Sequence, residues 1–79
     1  MTLSILVENR FGALTQITSF FSARGYHIEN LIAVKCREAG QARIQLSFEC
    51  PASAGEQIIK QLEKLTDVIE AGLETQVID

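Results

Sequence analysis

The stretch "TLSILVENRFGALTQITSFFSARG", Thr2 to Gly25, changes its hydrophobic period part-way along. From Thr2 to Glu8 the residues alternate. Leu3, Ile5 and Val7 fall on one side and Ser4, Leu6 and Glu8 on the other, the period of a strand with one buried face. From Ala13 to Arg24 the period lengthens: Leu14, Ile17, Phe20 and Phe21 recur at helical spacing and form an apolar stripe. Gly12 stands where that helix starts, a place usually held by Ser, Thr, Asp or Asn, whose side-chain oxygen satisfies free backbone N–H groups. A glycine leaves them open. Gly25 stands where a helix closes through a left-handed residue.

Working outward, "YHIENLIAVK" (Tyr26 to Lys35) is rich in strand formers, but its alternation slips. Ile28 and Ile32 share one phase while Leu31 and Ala33 take the other. "EAGQ", Glu38 to Gln41, predicts a turn, and "ARIQLSFE", Ala42 to Glu49, a strand with Ala42, Ile44, Leu46 and Phe48 on its apolar side. Pro51 stops it. Ser53 and Glu56 then stand in the S-x-x-E spacing of a capping box, ahead of a helix with Ile58, Ile59, Leu62 and Leu65 as its stripe. Val68 to Val77 predicts a last strand, with a bulge expected near Gly72.

The order is β-α-β-β-α-β. Each helix has one apolar stripe, so both must cover the same face of one sheet. The expected fold class is α+β, a ferredoxin-like arrangement of an antiparallel sheet with two helices on one face. The expected strand order is fourth, first, third, second. The second and fourth strands are then edges, and the uncovered face, with Arg43, Gln45, Ser47 and Glu49, is expected to be polar.

Composition narrows the function classes. The 79 residues are room for one domain, residues 1–79, and a core of that size gains from association. The net charge of −3, with Lys and Arg scattered, disfavours nucleic acid as a partner. The longest apolar run, Leu31 to Val34, is far too short to span a membrane, and "MTLSILVEN" lacks the basic start of a signal peptide, so a cytoplasmic location is expected. Cys36 and Cys50 lack the close spacing of metal and redox pairs, and reduced thiols are the expectation.

Little here supports catalysis. His27 is the single histidine and has no nearby Ser or Cys in sequence. No phosphate-cradling glycine motif occurs. The strand 42–49 carries its aromatic residue, Phe48, on the apolar side, which leaves no stacking platform for RNA. Arg10, beside a helix start, could hold an anion. The open amides of Gly12, Ala13 and Leu14 suit a small carboxylate, because the helix dipole favours negative charge there and Gly12 has no side chain to obstruct it. Asn9 adds a donor and an acceptor for a polar head group. A plain βα turn with water on those amides accounts for the same residues.

"LVENRFGALTQITSFFSARGYHIENLIAV" strongly resembles the regulatory, or small, subunits of acetolactate synthase, also called acetohydroxyacid synthase. That family typically runs E-N-x-x-G-x-L, then F-x-x-R-G-[YF]-N-I. The matching residues are Glu8, Asn9, Gly12, Leu14, Phe21, Arg24, Gly25, Tyr26 and Ile28. Later, "QIIKQLEKLTDVIEA" resembles the family's Q-I-x-K-Q-L-x-K-L-x-D-V through Gln57, Ile58, Lys60, Gln61, Leu62, Lys64, Leu65, Asp67 and Val68.

The resemblance implies an ACT domain, a ferredoxin-like module that binds amino acids between paired domains. It implies a non-enzymatic subunit, without cofactor or metal of its own. Such a subunit activates a thiamine-diphosphate-dependent catalytic subunit and senses a branched-chain amino acid, usually valine. Carried over by position, the effector contacts would be Asn9, Gly12, Ala13 and Leu14 from one chain and His27 and Ile28 from the other, in a homodimer joined through the second strand. The family usually has Asn where this chain has His27, and many members continue into a second domain. Three readings therefore stand together: an allosteric subunit, an activator subunit insensitive to effector, and a stand-alone amino-acid sensor.

Overall fold

A computed structural model of the chain describes residues 1–8, 12–37 and 40–74. Its elements run β1 (Thr2–Glu8), α1 (Ala13–Ala23), β2 (Ile28–Lys35), β3 (Gln41–Phe48), a 3-10 turn (Ala52–Ala54), α2 (Gly55–Leu62) and β4 (Val68–Leu73). The sheet order is β2-β3-β1-β4 and every neighbouring pair is antiparallel. This is the expected α+β, ferredoxin-like topology, with β2 and β4 as edges.

The core follows from the two periods. Leu3, Ile5 and Val7 of β1 and Ala42, Ile44, Leu46 and Phe48 of β3 are buried on one side of the sheet. Against them α1 sets Ala13, Ile17, Phe20 and Phe21, and α2 sets Ile58 and Leu62. Phe21 is fully buried at the centre of an aromatic cluster, with ring centroids 4.8 Å from Phe48, 5.1 Å from Phe20 and 6.4 Å from Tyr26. The helix end builds part of that cluster. Gly25 takes φ +76, its N–H donates to the Ser22 carbonyl and the Tyr26 N–H to the Phe21 carbonyl, the paired bonds of a left-handed helix stop. The apolar contact such a stop usually carries is here Tyr26 against Phe21.

The slip in the second strand is a bulge. Ile28 pairs with Phe48 and Asn30 with Ser47, so the register shifts between them at Glu29. One extra residue returns Ile28 to the side of Leu31 and Ala33, facing the helices, and sends Ile32 and Val34 to the other face.

Three sequence expectations need correction, and a fourth falls partly outside the described residues. The Ser53–Glu56 capping box does not form: Ala54 N–H bonds the Pro51 carbonyl, Ser53 is taken into the 3-10 turn, and α2 begins at Gly55 behind Ala54 with no side-chain cap. Gly72 makes no bulge and pairs regularly with Ser4; the irregularity falls between Leu6 and Val7, where Leu6 faces Glu70 and Val7 faces Val68. The last strand ends at Leu73, and the expected extension to Val77 lies outside the described residues after Glu74. The uncovered face is mixed, not polar. Arg43 donates to Ser4 Oγ at 2.8 Å and stands 3.7 Å from Glu70, but Ile32 and Val34 lie beside it half-exposed or more. With Lys35, Cys36 and Gln45 they line a shallow hollow of ≈ 350 Å³.

The expected turn at Glu38 to Gln41 is represented by Gly40 at φ +84 and by the Cys36 N–H to Gln41 carbonyl bond; Glu38 and Ala39 lie outside the described residues. Cys36 sits by the Gln41 end of that hairpin and Cys50 just past Phe48 at the other. Seven strand residues separate the two ends, about 23 Å at 3.3 Å per residue, and a disulfide needs its Cα atoms within about 7 Å.

Candidate functional site

The loop from β1 to α1 ends on Gly12, which takes φ +95 and ψ −8 and gives α1 no side-chain cap. The first helical hydrogen bond is Gln16 N–H to the Gly12 carbonyl at 2.9 Å. The amides ahead of it have no acceptor within the helix, as at every helix start. No acidic residue occupies the first turn to offset the dipole. A Cβ built on Gly12 meets nothing within 4 Å, so it is the backbone conformation and not crowding that favours glycine here. Ala13 is buried beneath it, and Leu14 projects outward at 44% exposure. The result is an uncapped helix end with an apolar side chain beside it, able to take a small anion bearing an aliphatic group.

The structure brings Gly12, Ala13 and Leu14 together. His27 and Ile28 are elsewhere: Ile28 pairs with Phe48 at one end of β3, whereas Glu8, just before the loop, pairs with Gln41 at the other. The two groups are thus separated by the length of the sheet, about 23 Å. His27 is exposed and Ile28 half-buried. Asn9 and Arg10 lie outside the described residues.

The β2 edge relates the two groups. β2 has β3 on one side only, and its residues Ile32, Ala33, Val34 and Lys35 are all exposed. An antiparallel partner on that edge would run the other way. Its His27 end would then lie at the Lys35 end of this chain, the same end of the sheet as Gly12.

Two further residues act at the loop without having been expected from the sequence. Asp67, 7% exposed, accepts the Glu8 N–H on its carbonyl at 2.8 Å and the Gln16 Nε2 on its carboxylate at 3.3 Å. Gln16 is 51 positions away along the chain, and no local pattern joins the two.

The family profile described as the AHAS small subunit-like ACT domain matches residues 3–70. The chain belongs to this family. As an ACT domain of this kind it is similar to the acetolactate synthase small subunit of Mycolicibacterium smegmatis, 39% identical over 69 residues, and to the acetolactate synthase isozyme 3 small subunit of Escherichia coli, 40% identical over 67 residues. Those matches take in 87% and 85% of this chain and 41% of each relative, so the chain spans less than half the length of these curated relatives. Among solved structures, the acetolactate synthase small subunit of Thermotoga maritima superposes with a TM-score of 0.81 at 27% identity, over 90% of this chain and 44% of that one. The ACT domain of the GTP pyrophosphokinase of Chlorobium tepidum superposes with a TM-score of 0.76 at 17% identity, over 96% of this chain and 85% of that one, a likeness of fold. Among the described residues no helix is long and apolar enough to cross a membrane, and no three His, Cys, Asp or Glu side chains converge as a metal site would require.

Proposed function

We propose that this chain is a regulatory module of acetolactate synthase in branched-chain amino-acid biosynthesis, acting in the cytoplasm. It activates a thiamine-diphosphate-dependent catalytic subunit and carries no catalytic group itself. It takes a branched-chain amino acid, valine first, between two copies paired along β2. The carboxylate lies on the amides that follow Gly12, and the aliphatic group lies against Leu14. Asn9, Gly12, Ala13 and Leu14 come from one copy, and His27 and Ile28 from the other.

The observation that supports this most directly is the α1 N-terminus: glycine at φ +95, no side-chain cap and no acidic residue in the first turn. Family membership supports the reading of a regulatory subunit.

Calorimetric titration with valine, leucine and isoleucine tests the sensor, with light scattering of the same samples for the dimer. A two-fold dimer that binds one of the three is expected. A monodisperse monomer at micromolar concentration counts against the β2 pairing. Mixing the chain with a matching catalytic subunit tests the partnership: the rate should rise, and an unchanged rate without a complex removes it. Activation without any amino-acid binding is the outcome that the effector-insensitive reading expects, and His27 in place of the family's usual Asn is what favours that reading.

A further inference from the structure

We infer that Asp67 is the positioning residue of the βα loop, holding both of its flanks and thereby fixing where the α1 amides point. The inference rests on the proposed effector site for its functional meaning and on geometry for its substance. Among the described residues Asp67 is the buried charged group. It follows α2 in the chain, yet its bonds go to the two residues that frame the β1–α1 loop. Its carbonyl takes the N–H of Glu8, the last residue of β1, at 2.8 Å. Its carboxylate takes Nε2 of Gln16 at 3.3 Å. Gln16 in turn makes the first main-chain bond of α1, back to Gly12. Strand exit and helix entry are thus tied to one residue.

The state of Gln16 shows that this tie is retained at a cost. Its carboxamide oxygen is buried and, among the described residues, has no hydrogen-bond partner. Turning the amide over would place that oxygen against the Asp67 carboxylate, acceptor against acceptor, so the orphaned orientation is the one the carboxylate imposes. A buried acceptor without a donor is unfavourable, and an apolar side chain of similar length would cover the same surface without one. What such a side chain could not do is reach Asp67.

Asp67→Ala removes the acceptor, Gln16→Ala removes the donor, and Asp67→Asn keeps a side-chain oxygen in place for Gln16 while removing the charge. The readout is amide hydrogen exchange on the ligand-free chain. Loss of a bond to a charged group corresponds to about a ten- to hundredfold change in a local opening equilibrium. We expect exchange of the Gln16 and Ile17 amides to accelerate by that factor in Asp67→Ala and Gln16→Ala, with the Ile44 and Leu46 amides of β3 close to native. Asp67→Asn should restore most of the protection. Equal acceleration at α1 and β3 in both alanine variants, or none, would overturn the inference, because either is what a purely structural residue gives. So would an Asp67→Asn chain as loose as Asp67→Ala. If Asp67→Ala does not fold, Gln16→Ala and Asp67→Asn decide the matter by the same amides. A parallel valine titration should show affinity falling with protection across the series. A native chain that takes up no valine refutes the effector site and leaves the exchange result to judge Asp67.

Discussion

Gly12→Ala isolates the backbone cost of the loop, because the new methyl group meets nothing within 4 Å. Whatever stability is lost must then come from the main chain. At φ +95 an L-residue carries roughly 1–2 kcal/mol of strain that glycine does not. Alanine also restricts the unfolded chain, which returns about 0.4–1 kcal/mol. The expected net loss is about 1 kcal/mol. For a domain this small that is a fall in Tm of about 4–8 °C. Urea unfolding followed by circular dichroism is the assay, with both proteins at the same concentration because association contributes to stability. The midpoint should fall with the slope unchanged, the mark of an altered stability and not of an altered unfolded state. Gly12→Asn should lose less than Gly12→Ala, since Asn enters the left-handed region several times more readily than other residues. An alanine variant as stable as the native chain would mean that the loop relaxes away from φ +95 without cost. The open amides would then not be held in place, and the reason given for the glycine would be wrong. Ligand binding gives the second reading: both variants should weaken valine binding, Asn included, although Asn nearly spares the fold.

His27→Asn should strengthen valine binding about ten- to hundredfold, the value of one good hydrogen bond to a charged group, and leave the Tm unchanged because His27 is exposed; tighter binding by the native chain would reverse its role. Phe21→Ala should cost about 3–5 kcal/mol, since the ring is fully buried among three others. The total stability expected of 79 residues is roughly 4–12 kcal/mol, so the variant should lose about a quarter of it or more and melt well below the native chain, and a cooperative transition near the native Tm would contradict the central place given to this ring.

Most of the fold was legible because burial is one-sided. In β1 and β3 every second residue is buried, so their extents and the face the helices cover follow from period, and the sheet order from the β-α-β-β-α-β succession. The misreadings have physical causes. Glu29 breaks the alternation of β2, and a break in period does not say which residue is extra until the partner strand is known. Ser53 and Glu56 have the spacing of a cap, but Pro51 draws the segment into a 3-10 turn first. Nothing in the structure explains why residue 72 is glycine. At the site, the uncapped helix start was legible because it lies within one short stretch. The Asp67–Gln16 tie was not, because it joins two polar residues 51 positions apart, each of which reads locally as a surface group. The separation of Gly12 from His27 by the length of the sheet could be seen only once the register was known.

The place of β1 in the middle of the sheet has a consequence for how the chain is made. β1 leaves the ribosome first, yet its two neighbours are β3, about forty residues later, and β4, later still. The Glu74 N–H closes on the Thr2 carbonyl at 2.9 Å, so the sheet is complete only when its last strand arrives. At roughly 5–20 residues per second, the first strand waits several seconds with both edges unpaired. During that time Leu3, Ile5, Leu6 and Val7 form an apolar segment that can pair with any other strand of similar pattern. Glu8 borders that segment with a charge on the growing chain, and it is the residue at which the strand stops. Non-local pairing of this kind also makes folding slow relative to a helical domain of equal length. The yield of the protein in a cell should therefore respond to the rate at which residues 41–74 are translated.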